Sequence, residues 1–419
     1  MSLFANRIFL KLFIASFASQ LGTIIGNMAF AFYLLDRFSS QPSYATLAEM
    51  MYALPTIVVF FIVGVAADRF DRKSIAENSD WIRAGLTILL FMAISLNLLP
   101  LVFVILFARS AISKFFQPAE SSMLQGILSP EQYTQASGLN QMIFGVFMLF
   151  GVALGAIAYQ YIGIEGAIIV DGISFIISAL LIRFCKIDES IRLPNGRTAV
   201  KELKFSMVTK DFKAGLSYIL QHRLLLMIIS GFFIFGLING AFAVLPLFTM
   251  KYKLAPAMYE RYTSLFAIFL GLGFLGGSII GTAIAKRVKP HEVMITGLFA
   301  SAGLTAALSF IDHVWLYLAF VLVIGLFLAP VNIAIGGWLP AIVEPSYMGR
   351  VNAWIDPLLM LSQSIALGLI ALLYPHIVGL SVIYYGIALA IFTVFLIYLF
   401  TLPKLSKQHS PIIEPQAQA

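Results

Sequence analysis

An all-α polytopic membrane protein, with twelve transmembrane helices in two six-helix halves, is the fold class predicted by three features of this 419-residue chain. Its composition is 60% hydrophobic and 11% charged, with a mean hydropathy of +0.94, whereas a soluble domain carries about 25% charged residues. Apolar runs of roughly 20 residues recur from end to end, the length a helix needs to cross a bilayer. The third feature is a weak internal repeat. Phe116-Gln117-Pro118-Ala119-Glu120, followed by Pro130-Glu131-Gln132-Tyr133, recurs as Leu328-Ala329-Pro330-Val331-Asn332, followed by Glu344-Pro345-Ser346-Tyr347. Each copy ends the fourth span of its half and leads into the fifth, as expected of two bundles built to one design.

In chain order, hydropathy places spans near residues 8–35, 46–66, 78–98, 101–122, 134–160, 164–185, 221–249, 261–285, 291–311, 314–336, 351–373 and 378–401. The first run, from Ile8 to Leu35, is too long for the apolar segment of a cleaved signal. An even number of spans puts both termini on one side. Lys and Arg crowd the loops of that side, including Arg7, Lys11, Arg69, Arg72, Lys73 and the bases between Arg183 and Arg223. The opposite loops hold Arg37, Lys251, Lys253 and Arg261. The positive-inside rule therefore predicts cytoplasmic termini.

The domain organisation read from this pattern is a six-helix bundle over residues 1–185, a cytoplasmic linker over 186–220, a second bundle over 221–402 and a disordered tail over 403–419. The linker turns at Pro194-Asn195-Gly196, and an amphipathic helix is expected around Phe205–Tyr218, lying on the membrane surface. Its bases suit an anionic inner leaflet.

Several function classes are set aside at this level. A single cysteine, Cys185, excludes a disulfide framework and a cysteine metal site, and the five histidines lack metal-ligand spacing. The net charge of +7 lies mostly in one set of loops and does not signal a nucleic-acid partner. No nucleotide-binding loop, metalloprotease helix or nucleophile motif occurs, so no enzyme activity and no cofactor is expected.

The densest charge lies in Gly64-Val65-Ala66-Ala67-Asp68-Arg69-Phe70-Asp71-Arg72-Lys73, between spans 2 and 3. Asp68 ends span 2, where an acid can face the positive N-terminus of another helix. The expected partner is span 11, which begins after Tyr347-Met348-Gly349-Arg350. Gly349 would permit close approach and Arg350 adds opposite charge, so this contact reads as a gate. The bases Arg69, Arg72 and Lys73 serve either that gate or topology alone. The matching loop of the second half, Gly277 to Lys289, keeps Gly281 but has Ala285 where an acid would fall, making the clamp one-sided.

Ionisable residues inside spans are costly and mark function or pairing. Arg109 and Lys114 in span 4, Asp171 in span 6 and Asp356 in span 11 fall in this set. Arg109 is too deep to snorkel and is expected to face the bundle interior, with Asp171 as its counter-ion, for proton coupling or as a structural pair. Asp356, one turn into span 11, suits the helix dipole. Asp80 is read as the cap of span 3, with Arg83 and Glu120 near the ends of their spans. Asp36 and Glu49 are candidate proton acceptors on the outer side; the alternative for each is an exposed loop carboxylate. Gly145, Gly151 and Gly155 in span 5 have spacings for close helix packing. Gln20, Asn27, Gln141, Asn239 and Asn332 are polar residues at membrane depth and candidate substrate contacts.

The charged loop resembles the signature loop of the major facilitator superfamily of secondary transporters. Further stretches are similar to its macrolide-efflux and siderophore-exporter branch: Ala18-Ser19-Gln20, Asp80-Trp81-Ile82-Arg83, Arg109-Ser110, Asp171-Gly172-Ile173-Ser174-Phe175, and Tyr347-Met348-Gly349-Arg350-Val351. The resemblance covers the whole transmembrane chain. It implies efflux driven by the proton gradient, and the Phe and Met around the polar residues at membrane depth suit a hydrophobic or amphiphilic small molecule, so the expectation is a monomeric multi-pass exporter of a bacterial plasma (inner) membrane working by proton antiport. It also implies that Arg109 belongs to the span-4 basic motif linked to coupling, and that spans 1, 4, 7 and 10 line the cavity. One departure stands out: Val152 follows Gly151 where antiporters carry Pro. Siderophore export and lysophospholipid flipping are the alternative activities, and a non-transporting sensor or scaffold is the alternative class.

Overall fold

The computed structural model describes residues 3–193, 205–284 and 287–408; the side chains of 64–69, 141 and 348–350 are among those outside the description. Thirteen α-helices occur among the described residues: α1 (Arg7–Arg37), α2 (Ser43–Arg69), α3 (Arg72–Ser95), α4 (Leu99–Ile127), α5 (Pro130–Arg183), α6 (Glu189–Arg192), α7 (Phe205–Gln221), α8 (Arg223–Thr249), α9 (Tyr259–Ile284), α10 (Pro290–Leu308), α11 (Val314–Ile342), α12 (Pro345–Leu373) and α13 (Leu380–Gln408).

Local chemistry starts these helices where expected of capping. Asn6 Oδ1 accepts from Ile8 N at 3.0 Å and Phe9 N at 3.2 Å to open α1. Ser129 and Gln132 form a reciprocal capping box ahead of Pro130 at the first position of α5. Its 54 residues would reach about 80 Å as one helix, against a hydrocarbon core of about 30 Å. The run breaks at Gly163, with φ 66° and ψ −175°, a backbone geometry that costs a side-chain-bearing residue far more than glycine. α5 thus crosses twice, with its turn between the two spans expected there.

Ten helical segments among the described residues are long and apolar enough to cross a membrane. α3 falls outside that set because Lys73, Glu77, Asp80 and Arg83 dilute its hydropathy. With α3 and the second crossing of α5, the membrane-length segments number twelve.

The chain divides into two compact units, one of Met1–Phe205 with Pro256–Ile268, the other of Ser206–Ala255 with Phe269–Ala419. In the first unit α1 packs most extensively on α5, α3 on α4 and α5, and α2 on α4. In the second, α8 packs on α12 and α13, and α10 on α11 and α13. The α1–α5, α3–α4 and α3–α5 pairings of the first unit thus recur in the second as α8–α12, α10–α11 and α10–α13.

Three features of the second unit were not expected from sequence. α8 continues into a π-helical turn, Met250–Leu254, whose Lys253 donates to the carbonyls of Ser309 and Ile311, both at 2.9 Å, just past the end of α10. A buried hydroxyl chain joins Thr249 Oγ1 to Tyr384 at 2.8 Å and Tyr384 to Tyr317 at 2.7 Å. The third is the seat of α7, expected on the membrane surface. Phe212 stacks on Trp354 with ring centroids 3.7 Å apart, and Trp354 Nε1 donates to the Phe212 carbonyl at 2.9 Å. Tyr218 stacks on Tyr347 at 4.3 Å. This helix is docked on the first turns of α12.

Candidate functional site

The first unit carries a buried charged cluster built on one face of α1. Ser16, Ser19, Gly22, Thr23 and Gly26 recur at three- and four-residue spacing, so they share a face. Small side chains there let α5 approach closely: a Cβ at Gly26 would stand 2.9 Å from Asp171 Oδ2. In span 5, Gly151 and Gly155 also meet α1, at Ile24 and Met28, whereas Gly145 faces open space.

Two ion pairs stand on this seam. Arg109 of α4 pairs with Asp171 of α5, both buried. Arg83 and Asp80, three residues apart on α3, pair at 3.0 Å with Asp80 fully buried. α1 completes the second pair: Ser19 Oγ donates to Asp80 Oδ1 at 3.2 Å and accepts from Arg83 Nη1 at 3.0 Å. Thr23 Oγ1 accepts from Arg83 Nη2 at 2.6 Å. The Phe175 ring offers its face to the Arg83 guanidinium at 3.9 Å, and lies 5.5 Å from that of Arg109. Removing two charges from water is costly, and such pairs persist only where hydrogen bonds complete the compensation. Here the serine and threonine of α1 supply part of it.

Glu120 of α4 completes the cluster. Ser16 Oγ donates to its Oε2 at 2.9 Å and accepts from Gln20 Nε2 at 3.0 Å. All five buried Asp, Glu, Lys or Arg side chains among the described residues, namely Asp80, Arg83, Arg109, Glu120 and Asp171, belong to this unit.

A second constellation gathers around the loop between α2 and α3. Asp71 caps α3, accepting from Lys73 N at 3.0 Å and Ser74 N at 3.2 Å. It also pairs with Arg192 of α6. Burial raises the Asp71 carboxyl, but the hydrogen bonds of Arg192 and Ser74 with the Arg192 charge outweigh it and hold the group below its ordinary value. Arg72 donates to the Ile191 carbonyl at 3.3 Å, and Lys73 Nζ to the carbonyls of Arg183 and Cys185, both at 2.8 Å. Lysine at a helix C-terminus satisfies orphan carbonyls and the dipole together. These three loop residues therefore fasten the exit of α5 and the segment after it.

Several sequence expectations change. Asp80 is not the cap of α3: the helix begins at Arg72, so Asp80 lies inside it and Asp71 does the capping. Asp356 is exposed and about three turns into α12, which begins at Pro345, too far from the N-terminus for the dipole reading. Arg109 and Asp171 meet as expected. Asp36 is no free loop carboxylate: it accepts from Tyr159 at 3.0 Å and from Tyr259 at 2.7 Å. Glu49 is half-buried in α2, and Asn27 half-buried in α1. Gln20 is exposed on α1, Asn239 on α8 and Asn332 on α11. Gly64, Asp68, Arg69, Gln141, Gly349 and Arg350 lie outside the described side chains. Sequence reasoning missed the Asp80–Arg83 pair, although its i,i+3 spacing on a membrane helix was a usable signal.

Twelve membrane-length segments in two similarly paired sets, with ion pairs sealed inside one of them, define a polytopic membrane protein rather than a soluble or single-anchor one. The Major Facilitator Superfamily model matches residues 12–356, and the chain belongs to that family. It is 56% identical over 409 residues to the uncharacterized MFS-type transporter YkuC of Bacillus subtilis (strain 168), covering 97% of this chain and 95% of that one. It is 24% identical over 366 residues to macrolide efflux protein A of Streptococcus pyogenes, covering 84% and 86%. Among solved structures, a peptide transporter POT in complex with alafosfalin aligns with TM-score 0.75 at 12% identity, over 95% of this chain and 94% of that one. A bacterial homologue of the iron transporter ferroportin in an inward-facing state aligns with TM-score 0.72 at 13% identity, over 97% and 100%. At these identities the structures show the fold. The protein is a multi-pass membrane transporter with the major facilitator fold.

Proposed function

We propose that this transporter exports a hydrophobic or amphiphilic small molecule from a bacterial cell by proton antiport with alternating access. The observation that carries the reading is the buried Arg109–Asp171 pair within a cluster of five ionisable groups. Buried ionisable residues inside a membrane bundle are expensive to keep and mark ion pathways. The likeness to macrolide efflux protein A supports drug-type export as the direction. In this reading Gln20, Asn27, Gln141, Asn239 and Asn332 contact the solute. Asp68 and the Gly349-Arg350 stretch are the gate residues of this reading, on the sequence alone.

The test is growth inhibition and efflux in a pump-deficient host expressing the protein, beside a siderophore-secretion assay. The expected result is raised resistance to macrolides or lipophilic cations that a protonophore abolishes. Siderophore secretion without drug resistance would replace this substrate class, and efflux indifferent to the protonophore would remove proton antiport.

Orientation is tested separately. Tags at Asn195 and Gln408 are expected in the cytoplasm and one at Ala257 outside, because Lys and Arg crowd the first two regions. Alkaline phosphatase activity from a fusion at Asn195 would reverse the assignment.

A further inference from the structure

Glu120 is the odd member of the buried cluster. Its side chain lies on α4, seven residues before the helix ends at Ile127, and it is 5% exposed. Ser16 Oγ is its hydrogen-bond donor, at 2.9 Å. Among the described residues no Lys, Arg or His nitrogen stands within ion-pair distance of it.

Among the described residues, the charges that the neighbouring elements bury are committed elsewhere. On α3, Arg83 serves Asp80, Ser19 and Thr23, and Asp80 acts on Glu120 with the same sign. Farther along α4, Arg109 pairs with Asp171 of α5. On α6, Arg192 pairs with Asp71. On the seam of α1 that faces Glu120, Ser16 and Gln20 are neutral. Among the described residues two arginines thus stand against three carboxyls in the buried cluster, and one negative charge is left over when every one of these groups is ionised. A lone carboxylate sealed from water is disfavoured far more strongly than its neutral acid.

We propose that Glu120 is a proton-binding site: its carboxyl takes up one proton, forming an O–H bond that brings the buried cluster to electrical neutrality. Ser16 suits both forms. Its hydroxyl donates to the carboxylate, and its oxygen accepts from the acid once the proton is bound. Gln20, which donates to the same Ser16 oxygen at 3.0 Å, is exposed, so this chain marks the side from which water delivers and removes the proton. Use of this proton in coupling rests on the exporter reading above; the binding itself does not.

The experiment is infrared spectroscopy of the full-length protein in lipid nanodiscs at neutral pH, without substrate or gradient. The expected result is a protonated-carboxyl C=O band that shifts in D2O and is lost in Glu120→Gln. A wild-type spectrum without such a band overturns the site, and needs no variant to fold. A band that survives in Glu120→Gln and disappears in Asp80→Asn overturns it as well, by moving the proton to Asp80. Ser16→Ala keeps the carboxyl but removes its partner, and is expected to move the band to higher frequency; an unmoved band counts against the site. Spectroscopy and efflux are separate readouts, so a failed exporter reading and a failed proton site are distinguishable.

Discussion

Asp171→Asn is expected to destabilise the protein by about 3–5 kcal/mol, the cost of breaking a buried ion pair from one side. The variant strands the Arg109 guanidinium in the buried cluster, with the Phe175 ring 5.5 Å away as poor compensation. Arg109→Gln strands Asp171 in the same way. Replacing both at once removes both charges, and a neutral substitute for a buried pair is often close to neutral in stability. Thermal melts in detergent should therefore show two early-melting single variants and a double variant restored towards wild type. A double variant as unstable as either single one would mean that the two residues do not act as a pair. The restored double variant also tests the transport role of the pair. It is expected to retain downhill exchange in everted vesicles and to lose transport driven by a proton gradient. Full gradient-driven transport in that protein would remove Arg109 from coupling.

A side chain at Gly26 is expected to have the next largest effect. The Cβ of Gly26→Val would stand 2.9 Å from Asp171 Oδ2, closer than real Cβ contacts allow, and a tight 3.1 Å from its Cγ. Either α1 moves away from α5 or the carboxylate leaves Arg109. Overpacking costs about 1–3 kcal/mol, and loss of the ion pair would add to it. Gly85→Ala on α3 is the control, because a Cβ there meets nothing within 4 Å and alanine favours a helix over glycine by about 0.5–1 kcal/mol. Gly26→Val should melt early and Gly85→Ala at or above the wild-type temperature. Equal melting of the two would show that α1 and α5 are not in close contact at Asp171.

Hydropathy made the crossings legible because lipid imposes a length and an apolar composition on each. It made the helix starts much less legible. α3 begins at Arg72 and α12 at Pro345, each six residues before the corresponding apolar run at 78 and 351, because a helix continues beyond the hydrocarbon. That offset misassigned Asp80 as a cap and brought Asp356 too near a helix terminus. Arg109 and Asp171 could be matched from sequence, as opposite charges at depth have few other ways to be satisfied. Glu120 could not, since its partner Ser16 is neutral and 104 positions away. The seat of α7 was equally hidden: an amphipathic pattern tells that a face is apolar, and not whether lipid or Trp354 covers it.

The similar pairing schemes of the two units contrast with what each unit buries. α8, α11 and α13 join through the hydroxyls of Thr249, Tyr317 and Tyr384, while every buried Asp, Glu, Lys or Arg among the described residues belongs to the other copy. The unit that holds these charges must keep a charge balance as well as a shape under substitution. The interior of the other answers, among the described residues, to shape and hydroxyl geometry. Substitutions buried in α8 and α10–α13 are therefore expected to act through packing volume and hydrogen bonds and not through charge balance.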